Sequence, residues 1–493
     1  MNEKIRPFVV VMVLFFALPH QARAENTNRA TSGAWVAIGG GSSPANNEIS
    51  MEDDLLLFRQ VFDPQRGTML YSGGPHTRTV RVLGTRRPDP VRSTLAWLMS
   101  DNGANFGSFR ATRLRGIHAA SVSNVLKALT HANQTSTGGP TTVFVATHGD
   151  RGASPWDTGI ALWGNDILTV ADLAQFLSNQ HQAPPQQWIV NSCYAGGFAE
   201  LMFDDVGQER TPSQGPRCGV YATTWDREST GCDPNPDRNA HHTYGRYLLE
   251  ALRGHDVDGH VRTSDIDLDG NGQIGLAEAH AYVRLTLPTR DVPTSSSDRF
   301  LRIHASHEDD DTLSVGELEE NWLIQHMVRR LNLDRVHAYH QAKEQLAMLK
   351  KQIVQNENKY EQLAEEEKAL ASHAASVILN RWPMLENPWD PDFENTLRNH
   401  RLLIAQTISR EDSVRSGVTL RHEMSKVEEN IHALHVRAAP YERLTQALES
   451  IRLAGNLQTS NPSAWRSYQE ILACERMVPG GLLEQAQVLT AVR

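Results

Sequence analysis

A mainly parallel α/β sheet between helices, followed by an all-α C-terminal module, is the fold the sequence predicts, and three observations predict it. From residue 35 to about 285, short apolar runs alternate with amphipathic stretches, the strand–helix–strand rhythm of a parallel sheet covered by helices on both faces. Runs such as Val143-Phe144-Val145-Ala146 are apolar without alternation, as strands buried on both faces are. Beyond residue 313 the apolar residues change to heptad spacing.

Taken in order, strands are predicted over 35–38, 79–83, 142–147, 187–191 and 219–223. Helices are predicted near 52–62, 119–132, 170–179, 197–204 and 243–252. The pattern breaks near 286–313, where Pro288, Pro293, Ser295-Ser296-Ser297 and the acidic run 308–311 read as a linker. After it, Leu346, Leu349, Ile353, Tyr360, Leu363 and Leu370 fall on heptad a and d positions, interrupted by polar Asn356 and Glu367. Leu420, Met424, Val427, Ile431 and Leu434 make a second stripe, and Pro383, Pro388 and Pro391 between the two force a turn. A long antiparallel helical hairpin follows, extended by a helix at 441–453. The expected plan is a leader at 1–24, an α/β domain at 30–290, a linker at 291–313 and a helical domain at 314–493.

A chain of 493 residues exceeds one ordinary core. Its net charge of −10 and the lack of a basic stripe argue against a nucleic-acid partner. Lys4 and Arg6 precede an apolar run at 8–18, and Ala22-Arg23-Ala24 has the small-x-small form of a cleavage site. That run is shorter than the about 20 residues of a membrane span, so it reads as a removed signal peptide, the alternative being an uncleaved anchor. No later apolar run approaches spanning length, and an extracytoplasmic location, periplasmic or secreted, is expected. Of the four cysteines, Cys193, Cys218, Cys232 and Cys474, the pair Cys218 and Cys232 is close enough in sequence to bridge or to remain free.

Two predicted strand ends carry the chemistry. One reads Thr147-His148-Gly149-Asp150; the other reads Asn191-Ser192-Cys193 followed by Tyr194-Ala195-Gly196-Gly197. In an open parallel sheet, ligands gather beyond the carboxyl ends of strands, so both segments reach one sheet edge. A thiolate at Cys193 is a nucleophile, and His148 can take its proton and return it to a leaving amine. The backbone N–H groups of Gly149 and Cys193 are placed to bind an oxyanion. The competing reading is a buried small cysteine and a turn histidine without catalytic use.

This pattern, an apolar strand ending in His-Gly and a second ending in x-Cys before a small-residue turn, resembles the caspase-like cysteine peptidases, closest to the legumain (asparaginyl endopeptidase) branch. The segment Ala34 to Glu52, the stretch Ile160-Ala161-Leu162-Trp163 with the helix at Asp172-Leu173, and Tyr221-Ala222-Thr223-Thr224 with the helix around 247–252 extend the resemblance over roughly 34–285. It implies a caspase-like three-layer fold and a polypeptide substrate. It also implies peptide-bond hydrolysis by a Cys193–His148 dyad with Gly149 in the oxyanion hole and no third acid. Some relatives pass the acyl group to an amine instead of water. Legumains carry a pocket glutamate two residues before the cysteine; here that position is Asn191, a departure that puts asparaginyl specificity in question. Asn191, Ser192, Asp226 and Glu228 are the candidate pocket residues, the two acids being either a site for a basic side chain or solvated loop charges.

Residues 267–278 match a twelve-residue EF-hand loop. Asp267, Asp269 and Asn271 stand at positions 1, 3 and 5, Gly272 at the sharp turn, the Gln273 carbonyl at 7 and Glu278 at 12. Such an oxygen set suits Ca²⁺, and a single loop followed by one helix suits stiffening of the domain better than sensing. An Asp/Gly-rich turn without metal is the alternative. A different class of reading is a catalytically silent calcium-stiffened binding platform. The C-terminal helices read as a partner or self-association surface, or as an element that occludes the cleft.

Overall fold

The computed structural model describes residues 33–483 apart from 76–77, 84–88, 100–106, 181–182, 206–209, 214, 307–315 and 388–389. The leader segment 1–24 lies outside the described residues. The fold is mixed α/β, with a mostly parallel central sheet, many helices and a C-terminal helical region.

Strand β1 (Trp35–Gly39) is followed by α1 (Ile49–Val61) and β2 (Gly67–Tyr71). An excursion holds β3 (Val80–Leu83), α2 (Pro90–Met99) and β4 (Gly107–Arg110), and the chain returns through β5 (Ile117–His118), α3 (Val122–Thr135) and β6 (Thr141–Ala146). A small antiparallel sheet of β7 (Gly149–Asp150), β8 (Gly159–Leu162) and β9 (Asp166–Thr169) leads to α4 (Val170–Ser178), β10 (Gln186–Asn191) and β11 (Arg217–Tyr221). Next come α5 (Tyr244–Leu252), α6 (Thr263–Ile266), α7 (Leu276–Thr286), β12 (Thr294–Ser295) and α8 (Ser296–His304). The C-terminal region contains α9 (Leu318–Arg330), α10 (Ala338–Leu379), α11 (Phe393–Asn399), α12 (Arg401–Arg410), α13 (Asp412–Ser460) and α14 (Pro462–Arg476).

The central sheet has the order β12-β11-β10-β6-β1-β2-β5, every pair parallel except β11 with β12. β1, β6, β10 and β11 are buried throughout, which is why apolar runs such as Val143 to Ala146 and Trp188 to Val190 show no alternation. Local capping fixes several helix starts: Ser121 for α3, the Thr169–Asp172 capping box for α4, Thr243 for α5 and Ser295 for α8. The chain leaves β1 toward β2 on one side and reaches β6 on the other, so the strand order switches between β1 and β6. A crevice at that switch point is where such sheets bind ligands.

The structure corrects several expectations. Residues 80–83 do not join the central sheet but pair with β4. The helix expected at 197–204 is a 3-10 helix, Ala195–Met202. The segment 291–313 is not simply a linker: β12 and α8 lie in it, with Phe300 and Leu301 in the main core, while 307–313 lie outside the described residues. The helix expected at 441–453 is continuous with α13, which runs through Pro440. A helix-interior proline costs about 3 kcal/mol; buried Ala438, Ala439, Arg443 and Leu444 around it supply the packing that overrides that cost.

The hairpin of α10 and α13 has the expected antiparallel seam. Leu349, Ile353, Val427 and Leu434 are buried, and the polar interruption Asn356 accepts a hydrogen bond from Asn430 Nδ2 at 2.9 Å. Far along the hairpin, Ala374 and Ile378 of α10 share a second core with Leu95 and Leu98 of α2, braced by Arg401–Asp89 at 2.6 Å and Arg92–Glu394 at 2.8 Å.

Cys218 does not bridge to Cys232. It pairs with Cys474, tying β11 to α14 across 256 positions. Leu453, Leu457, Tyr468, Ile471 and Leu472 belong to the same core as the sheet, and Gln187 Nε2 donates to the carbonyls of Cys474 and Met477, both at 2.9 Å. Buried Arg443 of α13 donates to the Leu287, Thr289 and Asp291 carbonyls at 2.6–2.8 Å. The boundary expected at 291–313 therefore does not separate two independent cores. Replacing Cys474 by Ser should lower stability by as much as about 5 kcal/mol, the loop-closure limit for a bridge of this span. Urea unfolding of the oxidised wild type and variant measures it, and equal midpoints would show that packing alone seats α14.

Candidate active site

The site begins with strand registration. Parallel β6 and β10 set Ala146 opposite Asn191, so the residues two positions on, His148 and Cys193, leave the sheet at the same level of adjacent strands. Gly149 then passes directly against the second segment: a Cβ added to it would lie 1.9 Å from the Cys193 carbonyl oxygen and 3.2 Å from its Cα. Backbone meets backbone here, and only glycine permits it. After Cys193 the chain turns sharply through Tyr194, whose φ of 58° is left-handed, into the 3-10 helix. Tyr194 N–H donates to the Arg227 carbonyl at 2.8 Å, which fastens this turn to the loop after β11.

His148 is held from both ring nitrogens. Nε2 lies 3.0 Å from the Asn46 carbonyl and 3.0 Å from Glu48 Oε2, both on the segment between β1 and α1. Both partners accept hydrogen bonds, so Nε2 carries a proton in either charge state and Nδ1 is the ring atom that gains or gives up the second one. Glu48 is buried, and its other oxygen faces Arg81 Nη1 at 3.3 Å. Burial disfavours the imidazolium, but the Cys232 sulfur at Nδ1 and the Glu48 carboxylate outweigh it and raise the His148 pKa to about 10.

The sulfur on Nδ1 belongs to Cys232, at 3.4 Å. Cys193 Sγ, half-buried, accepts from Ser229 N–H at 3.4 Å and lies 3.7 Å from the Ser229 carbonyl. Burial pushes the Cys193 thiol up from its ordinary pKa, partly offset by the Ser229 N–H. The structure thus brings His148, Gly149 and Cys193 to one sheet edge and sets a second free thiol beside the imidazole. Against family models, curated proteins and solved structures, the chain finds no match.

The expected pocket residues are placed less uniformly. Asn191 is buried and donates from Nδ2 to Asp54 Oδ2 at 2.8 Å, and Ser192 Oγ turns to the Cys193 carbonyl at 3.2 Å. Asp226 accepts from Thr224 Oγ1 at 2.7 Å, and exposed Glu228 pairs with Arg290 at 3.1 Å. Both acids therefore fit the solvated-loop reading better than a pocket floor. The sequence pattern does not single out Asn46, Glu48, Asp54 or Ser229, and it marks Cys232 only as a possible bridge partner of Cys218. Only the long-range packing of the β1–α1 segment and of the loop after β11 identifies them.

At the calcium-loop motif, one ligand oxygen from each of Asp267, Asp269 and Glu278 lies within 4.8 Å of the others. Asp267 accepts from Asn271 and Gly272 N–H at 3.1 and 2.9 Å, Asp269 from Asn271 N–H at 3.0 Å, and Asn271 Oδ1 from Gln273 N–H at 2.7 Å. Gly270 and Gly272 take φ of 73° and 81°, the left-handed values the tight loop requires. Glu278 receives Leu268 and Gly275 N–H at 2.7 and 2.8 Å, and burial raises its pKa, a condition that a cation would relieve. This all-oxygen set fits a hard cation. A second acidic group, Asp256, Asp258 and His260, closes on itself: Asp256 accepts from Asp258 and His260 N–H at 3.1 and 2.9 Å and from Arg262 Nε at 3.1 Å.

Asp54 supplies a pH test of the buried floor behind Asn191. Burial raises its pKa from 3.8 to about 7, against the opposing hydrogen bond from Thr243 Oγ1. The folded chain keeps this proton to higher pH than the unfolded chain does. Its stabilising contribution is therefore full below pH 3.8 and lost as pH climbs to about 7. Urea unfolding from pH 4 to 8 should show uncharged Asp54→Asn gaining on wild type by about 4 kcal/mol, most of it below pH 7. A stability difference independent of pH would assign Asp54 an ordinary carboxylate titration.

Proposed function

We propose that this chain is a cysteine endopeptidase of the caspase-like class, closest to legumains, with Cys193 as nucleophile and His148 as general base and acid. The observation that carries the reading is the registered arrival of His148 and Cys193 on β6 and β10, sealed by Gly149 against the Cys193 backbone. The place of His148 beside the switch point between β1 and β6, and the turn at Tyr194 after Cys193, support it further.

In the proposed reaction His148 Nδ1 takes the Cys193 proton, and the thiolate attacks the scissile carbonyl. The N–H groups of Cys193 and Gly149 receive the developing oxyanion. The imidazolium protonates the leaving amine, and a water deprotonated at Nδ1 then cleaves the thioester. An amine in place of that water gives transpeptidation. Glu48 keeps Nε2 protonated and the ring oriented, so the dyad expected without an acid has a carboxylate behind it. A silent binding platform is the opposing reading. An extracytoplasmic location is supported by the Cys218–Cys474 bridge, which oxidising compartments form and keep.

Thiol-directed probe labelling and hydrolysis of a positional peptide library test this. Cys193→Ala and His148→Ala should each reduce turnover by about 10³-fold or more, while Glu48→Gln should reduce kcat about 10–100-fold, leave KM nearly unchanged and shift the pH profile. Labelling of Cys193 that is indifferent to His148→Ala, with no peptide cleaved, would favour the silent platform.

We also propose that Asp267, Asp269, Asn271, the Gln273 carbonyl and Glu278 bind Ca²⁺ and brace the C-terminal clamp. Leu276 N–H donates to the Met477 carbonyl at 3.3 Å, and Gly275 packs against Arg476, so the loop adjoins the end of α14. A Kd of about 10⁻⁴–10⁻³ M is expected by titration calorimetry. At calcium about 100-fold above Kd the fold should gain about 2.7 kcal/mol. Glu278→Gln should lose that gain; equal calcium-induced stabilisation of wild type and variant would reject the site.

A further inference from the structure

Once Cys218 and Cys474 have paired, two thiols remain: Cys232 stands at the His148 imidazole, and Cys193 is held by Ser229 of the loop that carries Cys232. Cys232 Sγ stands 3.4 Å from His148 Nδ1 and is exposed. Cys193 Sγ is half-buried and held by the N–H and carbonyl of Ser229, on the same loop as Cys232 and three positions before it. A soluble reagent therefore meets Cys232 first, at a sulfur whose proton has a base beside it. Cys193 waits behind, within one short loop of the modified atom.

We propose that Cys232 is a thiol–disulfide exchange site that accepts a low-molecular-weight disulfide of the glutathione type and hands the bond on to Cys193. The resulting Cys193–Cys232 bridge reversibly removes the nucleophile, a consequence that rests on the peptidase reading.

The chemistry balances. His148 Nδ1 takes the Cys232 proton, and the thiolate attacks one sulfur of the reagent. A new S–S bond forms, the reagent's own breaks, and the departing thiolate carries away a proton. His148 Nδ1 then takes the Cys193 proton, the Cys193 thiolate attacks the Cys232 sulfur, and the second small thiolate leaves with that proton. Two protein thiols are oxidised and one small disulfide is reduced to two thiols.

The test uses the full chain equilibrated in mixtures of oxidised and reduced glutathione, acid-quenched and digested without reduction. Mass spectrometry should find Cys193 and Cys232 peptides joined, and dithiothreitol should release them at concentrations that leave Cys218–Cys474 intact. Oxidation should cut alkylation of Cys193 by about tenfold or more in wild type and leave it unchanged in Cys232→Ser. Wild-type mapping decides the matter even where the variant fails to fold. Both thiols free after oxidation, or glutathione on Cys193 with Cys232 untouched, overturns the proposal. A bridge that forms in a chain with no peptidase activity leaves the exchange site standing and removes the peptidase reading. A peptidase indifferent to the oxidant does the reverse.

Discussion

Where β6 pairs with β10, Ala146 stands opposite Asn191, and the chemistry at the sheet edge follows from that registration. A one-residue slip of β10 would turn its side chains to the other face, carrying Trp188 and Val190 from the layer that packs them to the opposite one. The apolar core thus sets the level at which His148 and Cys193 leave the sheet. The contact between Gly149 and the Cys193 carbonyl fixes their separation more finely than side-chain packing can, because peptide groups have no rotamers to adjust. The core does not determine which way the imidazole faces. That is settled by Asn46 and Glu48, delivered from the next strand over.

The C-terminal helices complete this sheet. Cys474, Gln187 and Arg443 join α13 and α14 to β10, β11 and the segment after α7 through a disulfide and buried hydrogen bonds. Removing everything beyond residue 300 would strip apolar cover from the sheet, so truncation reports on folding before it reports on cleft access. A subtler link runs through Arg227, which gives its carbonyl to the turn after Cys193 and its guanidinium to Glu442 of α13 at 2.7 Å. The hairpin, fastened near one end by this pair and near the other by α2, is coupled to the loop that carries Ser229 and Cys232.

Strands with unbroken apolar runs were legible in the sequence, and so was the heptad seam, because burial on two faces and helix-on-helix packing each impose a period. β2 was not: Gly67-Thr68-Met69-Leu70-Tyr71 is short, begins with glycine and takes its strand character from pairing with β1. The strand at 79–83 is legible but its sheet is not, since local pattern specifies a strand and not its neighbour. The pairing of Cys218 with Cys474 was beyond reach for the same reason, 256 positions lying between the two. At the site, the residues on strand ends could be read from the chain, whereas Glu48 and Cys232 arrive on loops whose destination depends on the whole fold.

That division bears on how the thiols share one base. With Nε2 committed to Asn46 and Glu48, Nδ1 is the one ring atom able to take a proton, and it serves a single sulfur at a time. Cys193, raised by burial, holds little thiolate near neutrality without it. Cys232, already at Nδ1, therefore competes with the reaction simply by staying there. The outcome turns on the loop after β11, which binds one thiol through Ser229 and supplies the other through Cys232. The contact on the base and the contact on the nucleophile thus come from one loop, three positions apart.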